Sequence, residues 1–307
     1  MTQVEKRDKP PNFYDTHAHL DYPEFAQELP QVIAWAEAAG INKFISIGTD
    51  LESSKRAIKL AEEFPHVFAV VGWHPSNAME APADFRPALR ELARQPKVVA
   101  LGETGLDYHR LPSLELADER KTPVFPHKEL FQAVAKALQY STEKDIEAAI
   151  HDGAYKSKQA SLFEQQLDLA VELGLNVVVH QRDAWNDTLE LMKPYAGKLR
   201  GVFHCFGGTI EQANEVIGLD HLVSFTGIVT FKNGAAVRDV AAQIPLWKFM
   251  VETDCPYLAP VPFRGKRCEP AHTRIVAETI AAARGISLDD VAAMTTQTAQ
   301  EFFRFNR

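Results

Sequence analysis

Residues of the types that bind metal ions stand at several points where an apolar run of this sequence stops. The first example is the segment Asp15-Thr16-His17-Ala18-His19. Side chains two positions apart on a strand point to the same face, so His17 and His19 can grip one ion from the same side. Neutral imidazole is the commonest metal ligand. Taken alone, the pattern is also consistent with two partly buried histidines whose ring nitrogens hydrogen-bond to the backbone.

Four further strand ends carry residues of the same kind. Glu103 follows the apolar run 98–101, and the other three residues are His180, His204 and Asp254. The carboxyl ends of parallel strands in a barrel surround a single mouth, which would bring the six groups together. Burying them unpaired would be costly, and bound cations remove that cost. Six ligands suit two divalent ions about 3.5–4 Å apart, which can activate a water and clamp the attacked group.

Strand order divides the six predicted ligands between the two ions. Glu103 lies between the two histidine groups, and we assign it as the bridging carboxylate. The first-strand histidines and Asp254 then hold one ion, and His180 and His204 hold the other. Asp254 can also take the proton from the attacking water, although a plain ligand role explains it equally well. Glu103 and Asp254 are therefore the predicted catalytic residues. The candidate ions are zinc and manganese, which histidines accommodate, and magnesium, which prefers oxygen ligands.

Short apolar runs that alternate with amphipathic segments must position these groups. The strands are predicted at 13–20, 43–48, 67–73, 98–103, 176–180, 201–205, 222–228 and 248–254. The helices are predicted at 29–39, 53–64, 82–93, 162–173, 187–195, 210–217, 235–243, 272–283 and 287–303. Eight such units favour parallel strands joined by helical crossovers and closed into one barrel. The prediction is a single α/β domain over 12–307, a TIM (β/α)8 barrel.

Two segments fall outside the alternating pattern. Residues 1–11 are polar and charged, a composition typical of a disordered tail. After the fourth strand, a long insertion at about 112–158 carries a Pro-rich piece at 121–126 and a predicted helix at 128–140. Because it leaves the carboxyl end of a strand, it can be a lid or a substrate-contacting insertion. A peripheral decoration or an oligomer contact fits the sequence equally well.

The net charge and the cysteine content restrict which binding partners and which cellular compartment are expected for this chain. The net charge of −8 and the pI of about 5.8 argue against a protein that coats nucleic acid, which is usually basic. Three cysteines without a CxxC pair argue against a disulfide framework and favour a reducing cytoplasm. No stretch is long and apolar enough to predict a membrane span. The sequence points to no protein partner, and a monomer or weak oligomer is expected.

Several longer motifs follow one another along the chain. They are DTHAHL (15–20), GWHP (72–75), GETGLDY (102–108), HCFGG (204–208), ETDCPYLAP (252–260) and RGKRCEP (264–270). With them the chain, from about 13 to 303 apart from the insertion, resembles the TatD family of metal-dependent deoxyribonucleases. The resemblance implies a TIM barrel of the amidohydrolase superfamily that cleaves DNA, often as an exonuclease, with divalent ions on the six residues above. Two departures are Cys268, where the family usually has Asn, and the longer insertion.

Three residues near the predicted mouth are candidates for binding substrate phosphate. His74 follows the third strand and can bind phosphate or orient a ligand, although a structural role fits equally well. Arg182 and Arg264 are candidates because guanidinium groups suit phosphate oxygens. Arg264 lies in a basic loop after the eighth strand, and the alternative is a solvated loop in which it pairs with an acid.

Aromatic and cysteine residues near the mouth have two possible roles. Tyr108 and Phe206 can stack on a nucleic-acid base, although packing is the commoner role of such side chains. Cys205 and Cys255 each follow a predicted ligand, so on a strand they should point away from the metals and pack behind the site.

The predicted activity is hydrolysis of phosphodiester bonds, with DNA ends or a small phosphodiester as the substrate. Counterion release from phosphates needs several Lys or Arg contacts, and the net charge is negative, so a 3'-5' exonuclease that works at a strand end fits better than a protein that wraps duplex. An amidohydrolase, or an ester or lactone hydrolase on the same barrel, is the first alternative. It is disfavoured because Glu103 stands where many such enzymes carry a carbamylated lysine. A non-catalytic binding protein is the second alternative, and it would be expected to lack metal ligands.

Overall fold

Eight strands form one parallel sheet in which each strand pairs with the next in the sequence. The computed structural model describes residues 11–112 and 143–305. Its strands are β1 (Phe13–Ala18), β2 (Ile41–Ile47), β3 (Val67–Val71), β4 (Val98–Asp107), β5 (Asn176–Arg182), β6 (Gly201–Phe203), β7 (Leu222–Phe225) and β8 (Phe249–Val251).

Backbone hydrogen bonds join the last strand to the first. The His19 N–H donates to the Cys255 carbonyl at 2.8 Å, and the Asp254 N–H donates to the His17 carbonyl at 2.9 Å. Parallel pairs need long crossover connections, which helices supply. The predicted (β/α)8 barrel is therefore confirmed.

Helices alternate with the strands and cover the outside of the barrel. They are α1 (Leu29–Ala38), α2 (Leu51–Glu63), α3 (Arg86–Ala93), α4 (Glu143–Leu173), α5 (Trp185–Met192), α6 (Ile210–Gly218), α7 (Ala235–Gln243), α8 (Thr273–Arg284) and α9 (Leu288–Phe303). Side-chain caps fix several of their starts. Asp50 accepts from the Ser53 N–H at α2, and Ser287 accepts from the Asp290 N–H at α9.

Helix α9 covers the amino-terminal end of the barrel. Its Phe302 and Phe303 join the cluster of apolar side chains inside the sheet, to which strand residues such as Ile45 and Val70 belong. The Asn176 side chain, at the start of β5, donates to the Phe302 carbonyl at 2.7 Å. Because this end is packed, only the carboxyl ends of the strands remain open for a binding site.

Helix α4 corrects the predicted bounds of the insertion. The crossover helix begins at Glu143 rather than near 162, so residues 143–158 belong to the barrel and not to an insertion that ends at 158. The polar and alanine-rich sequence of this part gives only a weak helical period. The predicted pieces at 121–126 and 128–140, and residues 1–10 of the predicted tail, lie outside the described residues. Among the described helices, α4 included, none is long and apolar enough to cross a membrane.

The burial of His221 leads to a prediction of how the stability of the barrel depends on pH. It is fully buried before β7, its Nδ1 accepts from the Gly201 N–H at 3.1 Å, and burial lowers its pKa to about 4. As the pH falls from about 6.5 to 4, the His221 imidazole therefore becomes protonated in the unfolded chain but stays neutral in the folded chain. This difference removes up to about 3 kcal/mol of stability. His221→Gln should flatten that decline in unfolding free energies measured by denaturant titration across this range.

The matched control is His66→Gln, because the His66 side chain is 56% exposed. This substitution should leave the acid decline unchanged. Parallel curves for wild type and His221→Gln would contradict the assignment.

Candidate metal centre

Five of the six predicted ligands line one cavity of about 1200 Å³ at the carboxyl ends of the strands, and the sixth, His17, is fully buried directly behind Glu103 and Asp254. His17 and His19 come from the end of β1, and the remaining ligands come from β4, β5 and the residues after β6 and β8. Ligand atoms within 4.8 Å of one another form three overlapping groups. These groups are His17–Glu103–His204, His17–His19–Asp254 and His74–Glu103–His180.

Glu103 lies at the centre of this cluster and is 3% exposed. Its Oε1 lies 2.7 Å from His204 Nε2 and 2.8 Å from His180 Nδ1. Its Oε2 faces the other pair, at 3.5 Å from His17 Nε2 and 3.8 Å from His19 Nε2. The two oxygens of one carboxylate are thus directed at two separate pairs of histidines.

Glycines on both sides of Glu103 allow β4 to approach β5 closely. Gly102 and Gly105 both have a φ of +139°, a conformation that other residues rarely adopt. A Cβ at Gly105 would lie 2.0 Å from the His180 carbonyl oxygen, and one at Gly102 would lie 2.6 Å from that of Val178. Larger residues here would push apart the strands that carry Glu103 and His180.

Asp254 completes the side of the cluster near β1. Its Oδ1 lies 3.6 Å from His17 Nε2 and 3.5 Å from His19 Nε2. Its φ of 58° is in the left-handed region, which is costly for a residue with a Cβ and recurs at functional sites. The turn that directs Asp254 to the histidines is held by its backbone bond to His17.

The side chains present fit divalent cations. Four buried ring nitrogens, both of His17, Nδ1 of His19 and Nδ1 of His204, lack a hydrogen-bond partner among the described residues. Of these, His17 Nε2 faces both Glu103 and Asp254, and a cation held between them would supply the partner that it lacks. Burial works to raise the pKa of Glu103, but the histidines around it hold that pKa well below its usual value. The carboxylate is therefore in the ionised form that a metal requires.

His74 contacts the cluster but differs from the six ligands in its hydrogen bonds. Its Nε2 lies 3.4 Å from Glu103 Oε1, and its Nδ1 accepts from the Ser76 N–H at 3.1 Å. Because Nδ1 uses its lone pair on that N–H, the neutral ring carries its proton on Nε2. His74 therefore presents a hydrogen-bond donor to the cavity rather than a metal-binding lone pair.

Two acids behind the histidines were given no role by the sequence analysis. Asp107 Oδ2 lies 3.1 Å from His180 Nε2, which leaves His180 Nδ1 to face Glu103. Glu252 is 1% exposed, and its Oε1 accepts from the Cys205 N–H at 2.7 Å and lies 3.7 Å from His204 Nδ1. Each stands within motifs that were recognised, and a carboxylate beside a ligating histidine commonly orients it.

The other predicted substrate-binding residues lie in different surroundings. Arg182 and Tyr108 line the cavity, and the Tyr108 hydroxyl donates to Asp187 at 2.8 Å. Arg264 is not among the residues that line this cavity, and its guanidinium packs on the Phe231 ring at 3.7 Å. The structure therefore gives Arg264 no place beside the metal cluster.

Two expectations about packing side chains had different outcomes. Cys205 lines the cavity, so the expectation that it packs behind the site was wrong. It follows the end of β6 with a φ of 49°, and the alternation of a strand does not apply there. Cys255 is fully buried, as expected. Phe206 is 5% exposed and packs in the core, so it has no free face for a base.

Comparison with known proteins places the sequence among metal-dependent hydrolases. The sequence model of the family described as TatD related DNase matches residues 14–304. The chain is 34% identical to the uncharacterized metal-dependent hydrolase YabD of Bacillus subtilis, over 95% of this chain and 99% of YabD. It is 32% identical to the 3'-5' ssDNA/RNA exonuclease TatD of Citrobacter rodentium, over 94% of this chain and 97% of that one.

Solved structures share the fold. YJJV, a TatD homologue from Escherichia coli, matches with a TM-score of 0.76 at 24% identity, over 95% of this chain and 98% of that one. The phosphotriesterase homology protein of Escherichia coli matches with a TM-score of 0.60 at 12% identity, over 96% and 99%.

The contact between Asp107 and His180 predicts an effect on metal affinity. Asp107→Ala should weaken the binding of Mn²⁺ or Zn²⁺, measured by titration calorimetry, by about 10- to 100-fold, because His180 loses the carboxylate that orients its ring. The control is Asp187→Ala, another acid on the cavity wall, whose side chain bonds to Tyr108. Equal affinities in the two variants would show that Asp107 does not orient a ligand.

Proposed function

The chain belongs to the TatD-related DNase family, and on that premise we propose that it hydrolyses phosphodiester bonds at the ends of nucleic-acid strands, with two divalent ions in its cavity. The observation that carries the proposal is the arrangement around Glu103. Its two oxygens face separate histidine pairs, which is the arrangement expected of a carboxylate that bridges two ions.

The proposed division of ligands follows the groups of neighbouring atoms. His17, His19 and Asp254 form one such group and would hold one ion. His180 and His204, whose Nδ1 and Nε2 atoms lie 3.1 Å apart, would hold the other with Glu103 between the ions. Of the buried nitrogens that lack a partner among the described residues, His17 Nε2 faces both Glu103 and Asp254, so a cation bound between them would give it one.

Divalent ions at this centre would supply an acidified water and neutralise charge that develops on the attacked phosphate. Asp254 is proposed as the acceptor of the proton from that water. It lies on the cavity wall, and its side chain is 15% exposed, so a water can reach it. In this role its carboxylate does not need to move away from His17 and His19.

Substrate contacts are proposed for three residues of the cavity wall. His74 would donate from Nε2 to a phosphate oxygen, because its other nitrogen is engaged by the Ser76 N–H. Arg182 is exposed on the same wall and can pair with a second phosphate. Tyr108 lies beside Arg182 and would complete this side of the cavity.

The end of a nucleic-acid strand is the proposed substrate because the predicted ligands lie at one cavity in a protein of negative net charge. The net charge of −8 disfavours a long duplex, whose binding needs several Lys or Arg contacts, whereas a single-stranded end needs only local contacts. The relative from Citrobacter rodentium is named a 3'-5' exonuclease of ssDNA and RNA. We propose the same polarity and substrate class for this chain, with a cytoplasmic location.

Substitution of Glu103 tests the activity. Metal-reconstituted wild type should cleave end-labelled single-stranded DNA, and Glu103→Ala should lower the rate by about 1000-fold or more, because both ions lose a ligand. Double-stranded DNA, RNA and a generic phosphodiester are assayed in parallel. Glu62→Ala, at an exposed position of α2, is the control and should cleave at the wild-type rate. Cleavage that survives in Glu103→Ala, or wild type that cleaves no phosphodiester, would contradict the proposal.

Metal analysis tests the number of ions separately. Protein saturated with Mn²⁺ and freed of excess ion should carry two ions per chain, because the six ligands divide into two groups. Glu103→Ala should carry fewer, since the bridging carboxylate is lost. Mass spectrometry of the dissolved protein gives the ratio of metal to chain. A wild-type ratio that saturates at one would rule out the bridged pair while leaving a one-metal hydrolase possible.

A further inference from the structure

Two tyrosines form the side of the cavity next to β1 and β8. Tyr22 and Tyr257 both line it together with the metal ligands His19 and Asp254. Tyr257 is 52% exposed, which makes it one of the few large side chains among the described residues that leave an apolar ring open to solvent. An exposed aromatic ring beside buried polar ligands suggests a binding surface rather than packing.

The rings are held at fixed angles to the metal cluster. The Tyr22 ring stacks on the His19 ring, with centroids 4.7 Å apart and planes at 24°. Tyr257 stands edge-on to Tyr22, with centroids 6.2 Å apart and planes at 84°. The Tyr257 N–H donates to the Asp254 carbonyl at 3.0 Å, so its backbone is tied to a metal ligand. Both tyrosines therefore take their position from residues of the site.

The hydroxyl groups distinguish these tyrosines from the others that lie near acids. Tyr108 and Tyr195 donate to Asp187 and Asp168, at 2.8 Å and 2.7 Å. The Tyr22 and Tyr257 hydroxyls make no hydrogen bond to another described residue in the structure. A buried tyrosine usually finds a protein partner for its hydroxyl, whereas Tyr257 is 52% exposed. The hydroxyls of this pair are left for solvent or for a ligand in the cavity.

The aromatic residues considered for stacking in the sequence analysis are less suited to it. Phe206 is buried in the core. Lys156 lies 4.5 Å from the centroid of the Tyr108 ring and covers one face of it. The cavity thus has an aromatic side at Tyr257 and a cationic side that includes Arg182.

We propose that Tyr257, supported by Tyr22, is the stacking site for the terminal nucleobase of a single-stranded nucleic acid. The inference rests on the proposed function and specifies how its substrate is held. A base is a flat aromatic ring, and its phosphate is joined to it by one sugar, so a base on Tyr257 can leave that phosphate near the ligands beside it. Base–aromatic stacking contributes about 1–3 kcal/mol and is indifferent to sequence. A base inside a duplex is covered on both faces, so the site selects an unpaired end.

The test compares two substrates and two variants. One substrate is a single-stranded DNA oligonucleotide, and the other carries abasic sugars at both ends, so that the result does not depend on the polarity of cleavage. Tyr257→Leu should raise the KM for the ordinary oligonucleotide by about 5- to 150-fold and leave kcat nearly unchanged. The abasic substrate should bind weakly to wild type and lose little more in the variant. Tyr257→Phe should recover most of the lost affinity, because it restores an aromatic ring.

The control is Trp247→Leu, because Trp247 is 60% exposed and is not among the residues that line the cavity. Its KM should equal that of wild type. An equal rise in KM for both substrates in Tyr257→Leu, or no recovery in Tyr257→Phe, would overturn the stacking site.

Binding without turnover separates this inference from the proposed function. The anisotropy of a fluorescent oligonucleotide is measured with metal-free wild type and with each variant. A dissociation constant that rises in Tyr257→Leu and recovers in Tyr257→Phe supports the stacking site even if wild type cleaves nothing. If wild type cleaves and the two variants bind as it does, the proposed hydrolysis stands and the stacking site is wrong.

Discussion

A buried carboxylate surrounded by histidines is the constraint on which the rest of this structure depends. Five histidine rings place a nitrogen within 3.8 Å of a Glu103 oxygen. A charged carboxylate cannot be buried unless other groups compensate its charge. Some ring nitrogens of the histidines around Glu103 have no hydrogen-bond partner in the part of the chain that the structure describes. The proposed cations, held between this carboxylate and His17 Nε2, would compensate its negative charge and give that nitrogen a partner. The close approach of β4 to β5 at the glycines beside Glu103 serves this single arrangement.

Helix α4 braces the part of the cluster that lies on β4 and on the loop after β3. Its Gln166 is fully buried, accepts from the Trp73 N–H at 2.8 Å and donates to Thr104 Oγ1 at 2.6 Å. Gln159, two turns earlier on the same face of the helix, accepts from the Asp107 N–H at 2.9 Å and donates to the Pro75 carbonyl. These bonds hold the residues on either side of His74 and the part of β4 that follows Glu103.

The two ends of the barrel differ: one is packed with apolar side chains, and the other carries the predicted metal ligands. At the amino-terminal end, the phenylalanines of α9 fill the interior and no polar cluster of the described residues competes for the space. At the other end, the strands finish in ligands, and the wall around them carries an aromatic side and a cationic side. This arrangement is compatible with the proposed binding of one strand end by a protein of negative net charge, because Arg182 and Tyr257 line the same cavity.

The sequence by itself determined the eight-unit barrel and the six residues that meet at its mouth. Both follow from local patterns, namely the apolar runs that form strands and the polar type that ends each one. The sequence did not determine that one oxygen of Glu103 faces His180 and the other His17, or that Asp107 lies behind His180. The sequence analysis also predicted that Arg264 binds substrate phosphate, whereas in the fold its guanidinium packs on the Phe231 ring. Contacts between side chains of different strands depend on how the barrel closes and in which register, and only the tertiary structure decides that.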